Sequence, residues 1–263
     1  MPGGSQILAI NYPSAEREIL GFIRKTVKGA ASKGVVLGLS GGVDSAVTGA
    51  LSVKALGRER VTVLIMPSDF TPQTDTEDAN ALAKKWGVRT YRANVSSAVE
   101  ALSGAFGFDG GKIPRANIQA RVRMTLAYYV ANSLGCLVAG TGDRSEDLLG
   151  YFTKYGDGGV DLLPIAHLYK TQVRELAIRL GIPEKVANKP ASPQLWPGHI
   201  ATQELPADYD KLDPLLYCLF DRKMSLSSAA KKAGVGVELA KAAMRLHKSS
   251  AHKRALPPMV KSW

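Results

Sequence analysis

Apolar residues follow two patterns along the chain: short continuous runs, and longer stretches in which they recur at helical spacing. The runs at 35–37 and 61–66 are rich in β-branched residues, which is typical of strands buried on both faces of a sheet. Because helical stretches separate the runs, we expect an α/β fold: a doubly wound parallel sheet flanked by helices on both faces. The predicted strands are 34–39, 61–66, 88–93 and 137–139, and the predicted helices are 14–32, 45–57, 75–86, 95–104, 116–134 and 169–180.

The last third of the chain has a different character. Residues 190–205 contain three prolines, which predicts a mobile loop, and three shorter helical segments follow. We therefore expect a single domain over residues 1–263. Its α/β core with the nucleotide site would span 14–182, and the mobile loop with a helical C-terminal region would span 183–263.

The loop after the first predicted strand carries the clearest chemical signal. Two adjacent glycines, Gly41 and Gly42, let the backbone reach positive φ and leave no Cβ in the way of a ligand. Hydroxyls, backbone N–H groups and the positive end of the next helix would line an anion pocket. The carboxylate of Asp44 suits such a pocket if Mg²⁺ lies between it and phosphates. The candidate nucleotide-binding residues are Gly38, Leu39, Ser40, Gly41, Gly42, Val43, Asp44 and Ser45.

The spacing of this loop excludes two common nucleotide motifs. No Lys follows the glycines as in G-x-x-x-x-G-K-[ST], and their order does not match G-x-G-x-x-G. An ordinary strand-to-helix turn rich in Gly and Ser remains open. The order S-G-G-x-D-S resembles the pyrophosphate loop of the ATP pyrophosphatases, which cleave ATP between its α and β phosphates and adenylate an acceptor.

Charge and cysteine content narrow the partners and the compartment. The chain has 34 basic and 23 acidic residues, a formal net charge of +11. This balance favours polyanionic partners such as nucleotides, pyrophosphate or nucleic acid, although surplus charge also serves solubility alone. Cys136 and Cys218 lie in apolar contexts, and we expect them to be buried thiols of a cytoplasmic protein. We see no signal-peptide pattern and no apolar run as long as a membrane span.

A second segment rich in chemistry follows the last predicted strand. Residues 140–161 read GTGDRSEDLLGYFTKYGDGGVD and show no apolar period. Glu146 begins a predicted helix there and could share a metal ion with Asp44. Because this segment and the loops 40–45 and 66–75 all follow predicted strands, they should meet at one edge of the parallel sheet. A solvated loop is the alternative, but the aromatic residues of the segment would be unusual in one.

Both segments belong to a longer and more specific pattern. The chain contains, in order, LSGGVDSA, GTGDRSEDLLGYFTKYGDGGVDLLPI, LYKTQV, LWPG and AHKR, and it closely resembles the ammonia-dependent NAD⁺ synthetases from about residue 14 to the C-terminus. The resemblance implies an adenine nucleotide alpha hydrolase-like fold and a homodimer with deamido-NAD⁺ sites formed across its interface. It also implies ATP- and Mg²⁺-dependent amidation of deamido-NAD⁺ (nicotinic acid adenine dinucleotide) by ammonia. The nicotinate carboxylate would be activated as an acyl-adenylate.

The same resemblance assigns roles at the ATP end of the site. Residues 38–45 would hold the phosphates of ATP. Thr141, Lys170 and Ser192 would make further ATP contacts, and Asp44 with Glu146 would bind Mg²⁺. The residues expected to act in catalysis are Asp44, Lys154, Asp157 and Lys170, where Asp157 would attract ammonium.

Two groups of residues that the resemblance would assign to deamido-NAD⁺ could instead be ordinary surface residues. On residue chemistry alone, Arg121 could equally be an exposed helix arginine. The pair His252 and Lys253 could equally be a frayed basic tail. The resemblance implies deamido-NAD⁺ contacts from Arg121, Lys154, Asp161, His252 and Lys253.

The long helix 114–134 carries an apolar stripe. Ile118, Val122, Leu126 and Tyr129 recur at helical spacing along it. A partner subunit or the sheet core could cover this stripe, and the sequence does not choose between them.

The chain departs from the family pattern after LWPG. Family members usually continue Gln-Thr-Asp-Glu, whereas residues 199–202 read His-Ile-Ala-Thr, and Gln194 replaces a small or acidic residue. We expect the loop still to fold over the site because its prolines and glycine remain, but without the acidic contacts of those four positions.

Rival functions follow from the same motifs. A glutamine-dependent synthetase would need a glutaminase domain, for which 263 residues leave no room, although a separate glutaminase could supply ammonia. The net charge would suit a tRNA-modifying adenylating enzyme, which would need a tRNA-binding appendage or catalytic cysteines. A non-catalytic nucleotide-binding protein is the third alternative, and the altered residues 199–202 are its support.

Overall fold

A parallel four-stranded sheet forms the centre of the computed structural model, which describes residues 7–260. The strands are β1 (Val35–Gly38), β2 (Val61–Ile65), β3 (Arg89–Arg92) and β4 (Leu137–Val138), in the order β3-β2-β1-β4. Val35 pairs with Val61 on one side and with Leu137 on the other.

Helices connect the strands and continue the chain beyond them. None of the helices within residues 7–260 is both long and apolar enough to cross a membrane. Short 3₁₀ turns occur at Arg58–Arg60, Ala201–Gln203 and Ala251–Lys253, and a π-turn at Tyr217–Asp221. The helices are α1 (Tyr12–Gly29), α2 (Val43–Leu56), α3 (Gln73–Trp86), α4 (Ser96–Gly104), α5 (Lys112–Leu134), α6 (Arg144–Leu149), α7 (Lys170–Arg179), α8 (Glu184–Ala187), α9 (Tyr209–Leu216), α10 (Leu226–Ala233) and α11 (Val237–Ser249).

Both faces of the sheet are covered by helices, which confirms the predicted doubly wound fold. Val35 and Leu37 point into a core built with α1, α2, α3 and α7. Val36, one step along β1, packs with Ala127 and Ala131 of α5 on the opposite face. Successive strand side chains point to opposite faces, so a continuous apolar run is what a sheet buried on both sides requires.

The apolar stripe of α5 is covered by a neighbouring helix. Val122 packs with Val95 and Val99 at α4, and Ile118 and Leu126 lie against the same cluster. Helix α4 therefore buries Val122, and the choice between a partner subunit and the sheet core stays open for the half-buried Ile118 and Leu126. Tyr129, at 71% exposed, is the most exposed residue of the stripe.

The C-terminal helices have a core of their own. Leu149 of α6 packs there with Leu212 of α9 and with small residues of α10 and α11. The predicted helical C-terminal region is therefore confirmed, whereas the domain division at residue 182 stays a prediction. Cys218 is buried in this core as expected, but Cys136 is only half-buried.

Candidate active site

The loops that follow β1, β2 and β4 meet around one cavity of about 690 Å³. Its volume lies in the range of small-molecule sites, roughly 300–1,000 Å³. The cavity lies at the carboxyl ends of the strands, where parallel α/β sheets bind ligands. Among the sequence-predicted residues, its walls include Gly38, Leu39, Ser40, Gly42, Val43, Asp44, Ser45, Thr141, Glu146, Asp157, Lys170, Ser192 and Lys253.

The 38–45 loop is shaped by its own hydroxyl groups. Ser45 Oγ accepts the N–H of Ser40 at 3.2 Å and donates to the carbonyl of Gly42 at 3.0 Å. Gly41 has φ +81°, and a Cβ there would stand 2.2 Å from the carbonyl oxygen of Asp75. Only glycine fits this position, and the first-turn N–H groups of α2 face a ligand that approaches the loop.

A buried lysine gathers three carboxylates beside this loop. Lys170 begins α7, and only 1% of its side chain is exposed. Its Nζ lies 2.7 Å from Asp44 Oδ2, 2.8 Å from Glu146 Oε1 and 2.9 Å from Asp143 Oδ2. The structure therefore brings Asp44 and Glu146, the predicted metal ligands, together around Lys170, which was predicted as an ATP contact.

Asp143 is the member of this cluster that sequence reasoning missed. Its Oδ1 accepts the N–H of Glu146 at 2.8 Å, which makes Asp143 the N-cap of α6 and completes a capping box with Glu146. The signal was in the sequence, because an Asp three residues before a Glu is a helix-start pattern. The predicted loop 140–161 accordingly contains the helix α6, and Glu146 is its third residue rather than its first.

Burial and mutual charge set the protonation of the cluster. Burial acts to lower the pKa of Lys170, but Asp143, Asp44 and Glu146 together raise that pKa well above its ordinary value. Lys170 therefore stays an ammonium. Burial raises the pKa of Asp143 and of Glu146, and Lys170 opposes both shifts.

The cluster fits a divalent cation held by Asp44 and Glu146. One ammonium faces three carboxylates, and the buried Asp44 Oδ1 accepts no hydrogen bond from residues 7–260. Over the same residues, no group of three or more His, Cys, Asp or Glu side chains has a metal-binding arrangement. Mg²⁺ suits such a site, since it uses one or two carboxylates and completes its shell with phosphates and water.

Asp213 of α9, which the sequence analysis did not single out, ties together the two helices that carry Glu146 and Lys170. Its Oδ1 accepts from Ser145 Oγ at 2.6 Å, and its Oδ2 accepts from the N–H and Oγ1 of Thr171 at 2.8 Å each. Ser145 Oγ in turn accepts the N–H of Lys170 at 3.0 Å. Burial raises the pKa of Asp213 to about 7, against these hydrogen bonds.

Asp157 and Lys253 belong to another part of the cavity wall. Asp157 Oδ1 accepts the N–H of Thr153 at 2.8 Å, and Lys253 Nζ donates to the carbonyls of Gly150 and Phe152 at 2.8 and 2.7 Å. Burial raises the pKa of Asp157, while Lys253 and the same hydrogen bond act to lower it. The wall is therefore built from the end of the chain as well as from the 140–161 segment.

Three of the predicted substrate contacts form a separate exposed cluster. Arg121 Nη2 donates to the carbonyl of Lys154 at 3.3 Å, and Lys154 Nζ donates to the carbonyl of His252 at 2.7 Å. These residues stay outside the cavity lining in the part of the chain that the structure describes. The three residues therefore form a basic surface cluster apart from the cavity lining.

Asp161, also outside that lining, has a clear structural task. Its Oδ2 accepts the N–H of Val138 at 2.7 Å, and its Oδ1 accepts from the hydroxyl of Tyr128 at 3.0 Å. Burial and the nearby carboxylate of Asp161 raise the pKa of Tyr128 to about 12. Asp161 thus holds β4 to α5.

The segment 190–206 covers the cavity, and His199, one of the residues that depart from the family pattern, lines it. His199 is 3% exposed, its ring stacks on Trp196 with centroids 3.3 Å apart, and its Nε2 lies 2.7 Å from Glu204 Oε2. Tyr151 also donates to Glu204, at 2.8 Å. Positions 199–202 carry no carboxylate, but Glu204, two residues further along the same segment, supplies one to the cavity wall.

The comparisons with known proteins agree with this geometry. A protein named NH₃-dependent NAD⁺ synthetase from Hyperthermus butylicus is 51% identical over 255 residues, which cover 97% of this chain and 92% of that protein. The structure of an NMN synthetase from Francisella tularensis matches with a TM-score of 0.83 at 30% identity, covering 97% of this chain and 100% of that one. The structure of an NH₃-dependent NAD synthetase from Campylobacter jejuni matches with a TM-score of 0.82 at 28% sequence identity. The match covers 96% of this chain and 100% of that one. The family model described as NAD synthase matches residues 16–257, and the chain therefore belongs to the NAD synthase family.

Proposed function

We propose that the protein is a carbon–nitrogen ligase that amidates deamido-NAD⁺ to NAD⁺ with ATP and ammonia. The observation that carries the proposal is the single cavity that joins the 38–45 loop to Asp44, Glu146 and Lys170. The names of the relatives support this activity over the tRNA-modifying and non-catalytic alternatives.

The reaction has two steps. In the first, the nicotinate carboxylate attacks the α-phosphorus of ATP, the bond to the leaving oxygen breaks, and pyrophosphate departs. In the second, ammonia attacks the carbonyl carbon of the acyl-adenylate, AMP leaves with the C–O bond electrons, and the nitrogen loses one proton. No covalent bond to the protein is required, so catalysis consists of positioning and charge stabilisation, with proximity supplying roughly 7–11 kcal/mol.

The proposed ATP site uses backbone dipoles and one buried ammonium. The N–H groups of the 38–45 loop and the first turn of α2 would bind the phosphates of ATP. Thr141 and Ser192 line the same cavity and are the proposed further contacts. Lys170 holds Asp44 and Glu146 in place, because its Nζ bonds to both.

Asp44 and Glu146 are the proposed Mg²⁺ ligands. When bound, Mg²⁺ would neutralise charge on the phosphates and on the leaving pyrophosphate. The chain supplies the carboxylates, fixes them through Lys170, and keeps them at the edge of the phosphate loop.

Ammonium is proposed to bind at Asp157. This carboxylate lines the cavity and would attract ammonium by its charge, and its raised pKa makes it a stronger base than a free aspartate. Lys253 lines the same part of the wall and is a proposed contact for deamido-NAD⁺.

The outer basic cluster suggests a substrate site completed by a second copy of the chain. Arg121, Lys154 and His252 lie together on the surface outside the cavity lining, where a dinucleotide bound across a dimer interface could reach them. Asp161 is the fourth proposed contact. Its carboxylate already accepts hydrogen bonds from Val138 and Tyr128, so deamido-NAD⁺ would have to bind to its remaining lone pairs.

A shared site can be tested by mixing inactive variants. Arg121→Ala and Asp44→Ala should each be inactive. If one protomer supplies Asp44 and its partner Arg121, random mixing leaves one intact site per mixed dimer and restores about one quarter of the activity. Absence of recovery in mixed dimers, confirmed by mass, would contradict a site shared across the interface.

The activity itself is tested by product analysis. The protein is incubated with ATP, Mg²⁺ and deamido-NAD⁺, with either ammonium or glutamine, and NAD⁺, AMP and pyrophosphate are separated and counted. Equal amounts of the three products with ammonium would support the proposal, and no NAD⁺ with either donor would refute it. Asp44→Asn should abolish turnover, while Asp210→Asn, whose side chain is 74% exposed, is the matched control.

A mononucleotide substrate is the second candidate. The Francisella protein named NMN synthetase, with a TM-score of 0.83 to this chain, favours it. Nicotinic acid mononucleotide therefore replaces deamido-NAD⁺ in a parallel assay. A higher kcat/KM for the mononucleotide would assign it as the substrate.

A further inference from the structure

Lys189 forms a clasp beside the phosphate loop, in the cavity wall and at the start of the segment that covers the cavity. Its Nζ donates to the carbonyl of Gly41 at 2.9 Å, to Asp75 Oδ1 at 2.6 Å and to Asp78 Oδ2 at 2.8 Å. These three acceptors match the three hydrogens of an ammonium group. Both carboxylates are about 5% exposed and 22% of the Lys189 side chain is exposed, so the carboxylates are buried and the lysine is partly open to the cavity.

The bond to Gly41 decides which way the loop presents its peptide groups. In a trans peptide, the carbonyl and the following N–H point in opposite directions. Because Lys189 holds the carbonyl of Gly41, the N–H of Gly42 is turned the other way, where Ser40 Oγ lies 3.3 Å from it. Gly42 and Ser40 line the cavity, and so do Lys189 and Asp75 of the clasp, while the ammonium of Lys189 is bonded to the carbonyl of Gly41.

The same carboxylate connects this clasp to the covering segment. Asp75 Oδ1 binds Lys189, and its Oδ2 accepts a hydrogen bond from the side-chain amide of Gln194. Gln194 has φ +51°, a strained value for a non-glycine residue, and its carbonyl accepts from Gln119 Nε2 at 3.0 Å. Gln194, which departs from the family pattern, therefore contacts Asp75, the carboxylate that holds Lys189 against the phosphate loop.

We infer that Lys189 is a positioning residue for ATP: it orients the Gly41–Gly42 peptide toward the phosphates and, through Asp75, links that peptide to the segment 190–206. The inference rests on the proposed ATP site. Burial acts to lower the pKa of Lys189, but hydrogen bonds and charge from Asp75 and Asp78 raise it, so the clasp keeps its positive charge at neutral pH.

The test compares two lysines that share one carboxylate. Lys185 also forms an ion pair with Asp78, at 2.5 Å, but its side chain is 72% exposed. Its bond is to Asp78 and not to the carbonyl of Gly41. Lys189→Met should weaken ATP binding in calorimetry, and raise the KM for ATP, by about 10-fold or more. Lys185→Met should leave both unchanged, and the KM for deamido-NAD⁺ should stay within about twofold in either variant.

The outcomes separate this inference from the proposed function. Wild-type protein that binds no ATP overturns both. Wild type and Lys189→Met binding ATP equally, or Lys189→Met raising both KM values together, overturns the positioning role alone. Should Lys189→Met fail to fold, Lys189→Arg keeps the charge with a different geometry, and a folded arginine variant with unchanged ATP affinity would also overturn it.

Discussion

Replacement of the buried Asp213 by Asn should make the protein more stable at neutral pH. The amide has the shape of the carboxylate, so it can keep the hydrogen bonds from Thr171 and replace the one from Ser145 by a bond of the opposite direction. Its oxygen can accept from Thr171, while its nitrogen donates to Ser145 Oγ, which still accepts from Lys170. The substitution therefore removes a buried titrating group and leaves the packing in place.

The magnitude follows from the pKa of that carboxyl group. Burial raises the pKa of Asp213 from its ordinary 3.8 to about 7. A group with a raised native pKa contributes stability that is fully present below its unfolded pKa and is lost as pH rises through the native pKa. The difference of about three units corresponds to about 4 kcal/mol, which is large against a total of roughly 5–15 kcal/mol.

Urea unfolding followed by circular dichroism at pH 4.5, 6 and 8 measures this difference. We expect the stability of Asp213→Asn relative to wild type to increase between pH 4.5 and 8, and to level off above the native pKa. Asp210→Asn, on the same helix but exposed, should show no such trend. A flat difference, or a wild type that gains on the variant as pH rises, would refute the reasoning about Asp213.

Three further predictions concern the site. Lys170→Met leaves three buried or half-buried carboxylates without their cation and should lower the free energy of unfolding by about 3–5 kcal/mol. Lys241→Met removes the lysine of an exposed ion pair of similar length and should change the free energy of unfolding little. Equal losses in the two variants would contradict this prediction. Gly41→Ala should destabilise the protein and abolish ATP binding, because Gly41 has a positive φ and a Cβ there would collide with the carbonyl of Asp75. Gly21→Ala, in open space within α1, is the control and should raise the free energy of unfolding by about 0.5–1 kcal/mol. If Gly41→Ala still binds ATP, the loop geometry is not what binding requires. Asp157→Asn should raise the KM for ammonium about 10-fold or more with the KM for ATP unchanged, and an unaltered ammonium dependence would remove the proposed role.

Local sequence patterns predicted the four strands, most of the helices and the edge of the sheet at which the loops of the site meet. Continuous apolar runs identified strands buried on both faces, and glycine or proline marked many of their ends. Because the carboxyl ends of parallel strands meet at one edge, the loops after β1, β2 and β4 could be placed together without coordinates. The family resemblance assigned Asp44 and Glu146 to a metal ion and Lys170 to ATP, and the structure places all three at one point of the cavity wall.

Side-chain partners across long sequence separations could not be predicted in this way. The α5 stripe shows the limit, because its periodicity announced a covered face but could not say that α4 covers it. Asp213 gave no periodic or motif signal, since it is one acidic residue in an amphipathic helix. Its importance appears only when α9 is packed against the starts of α6 and α7.

The sequence by itself determined the alternating α/β order, the glycine that the phosphate loop requires, and the residue types that polyanion chemistry needs. These are local properties of backbone freedom, hydrophobic period and charge. Tertiary structure decided which charges meet: Lys170 reaches Asp44 across 126 positions, and Lys189 reaches the carbonyl of Gly41 across 148. A hydrogen bond depends on atoms within about 3 Å of each other, and only the packing of helices on the sheet brings such distant residues to that separation.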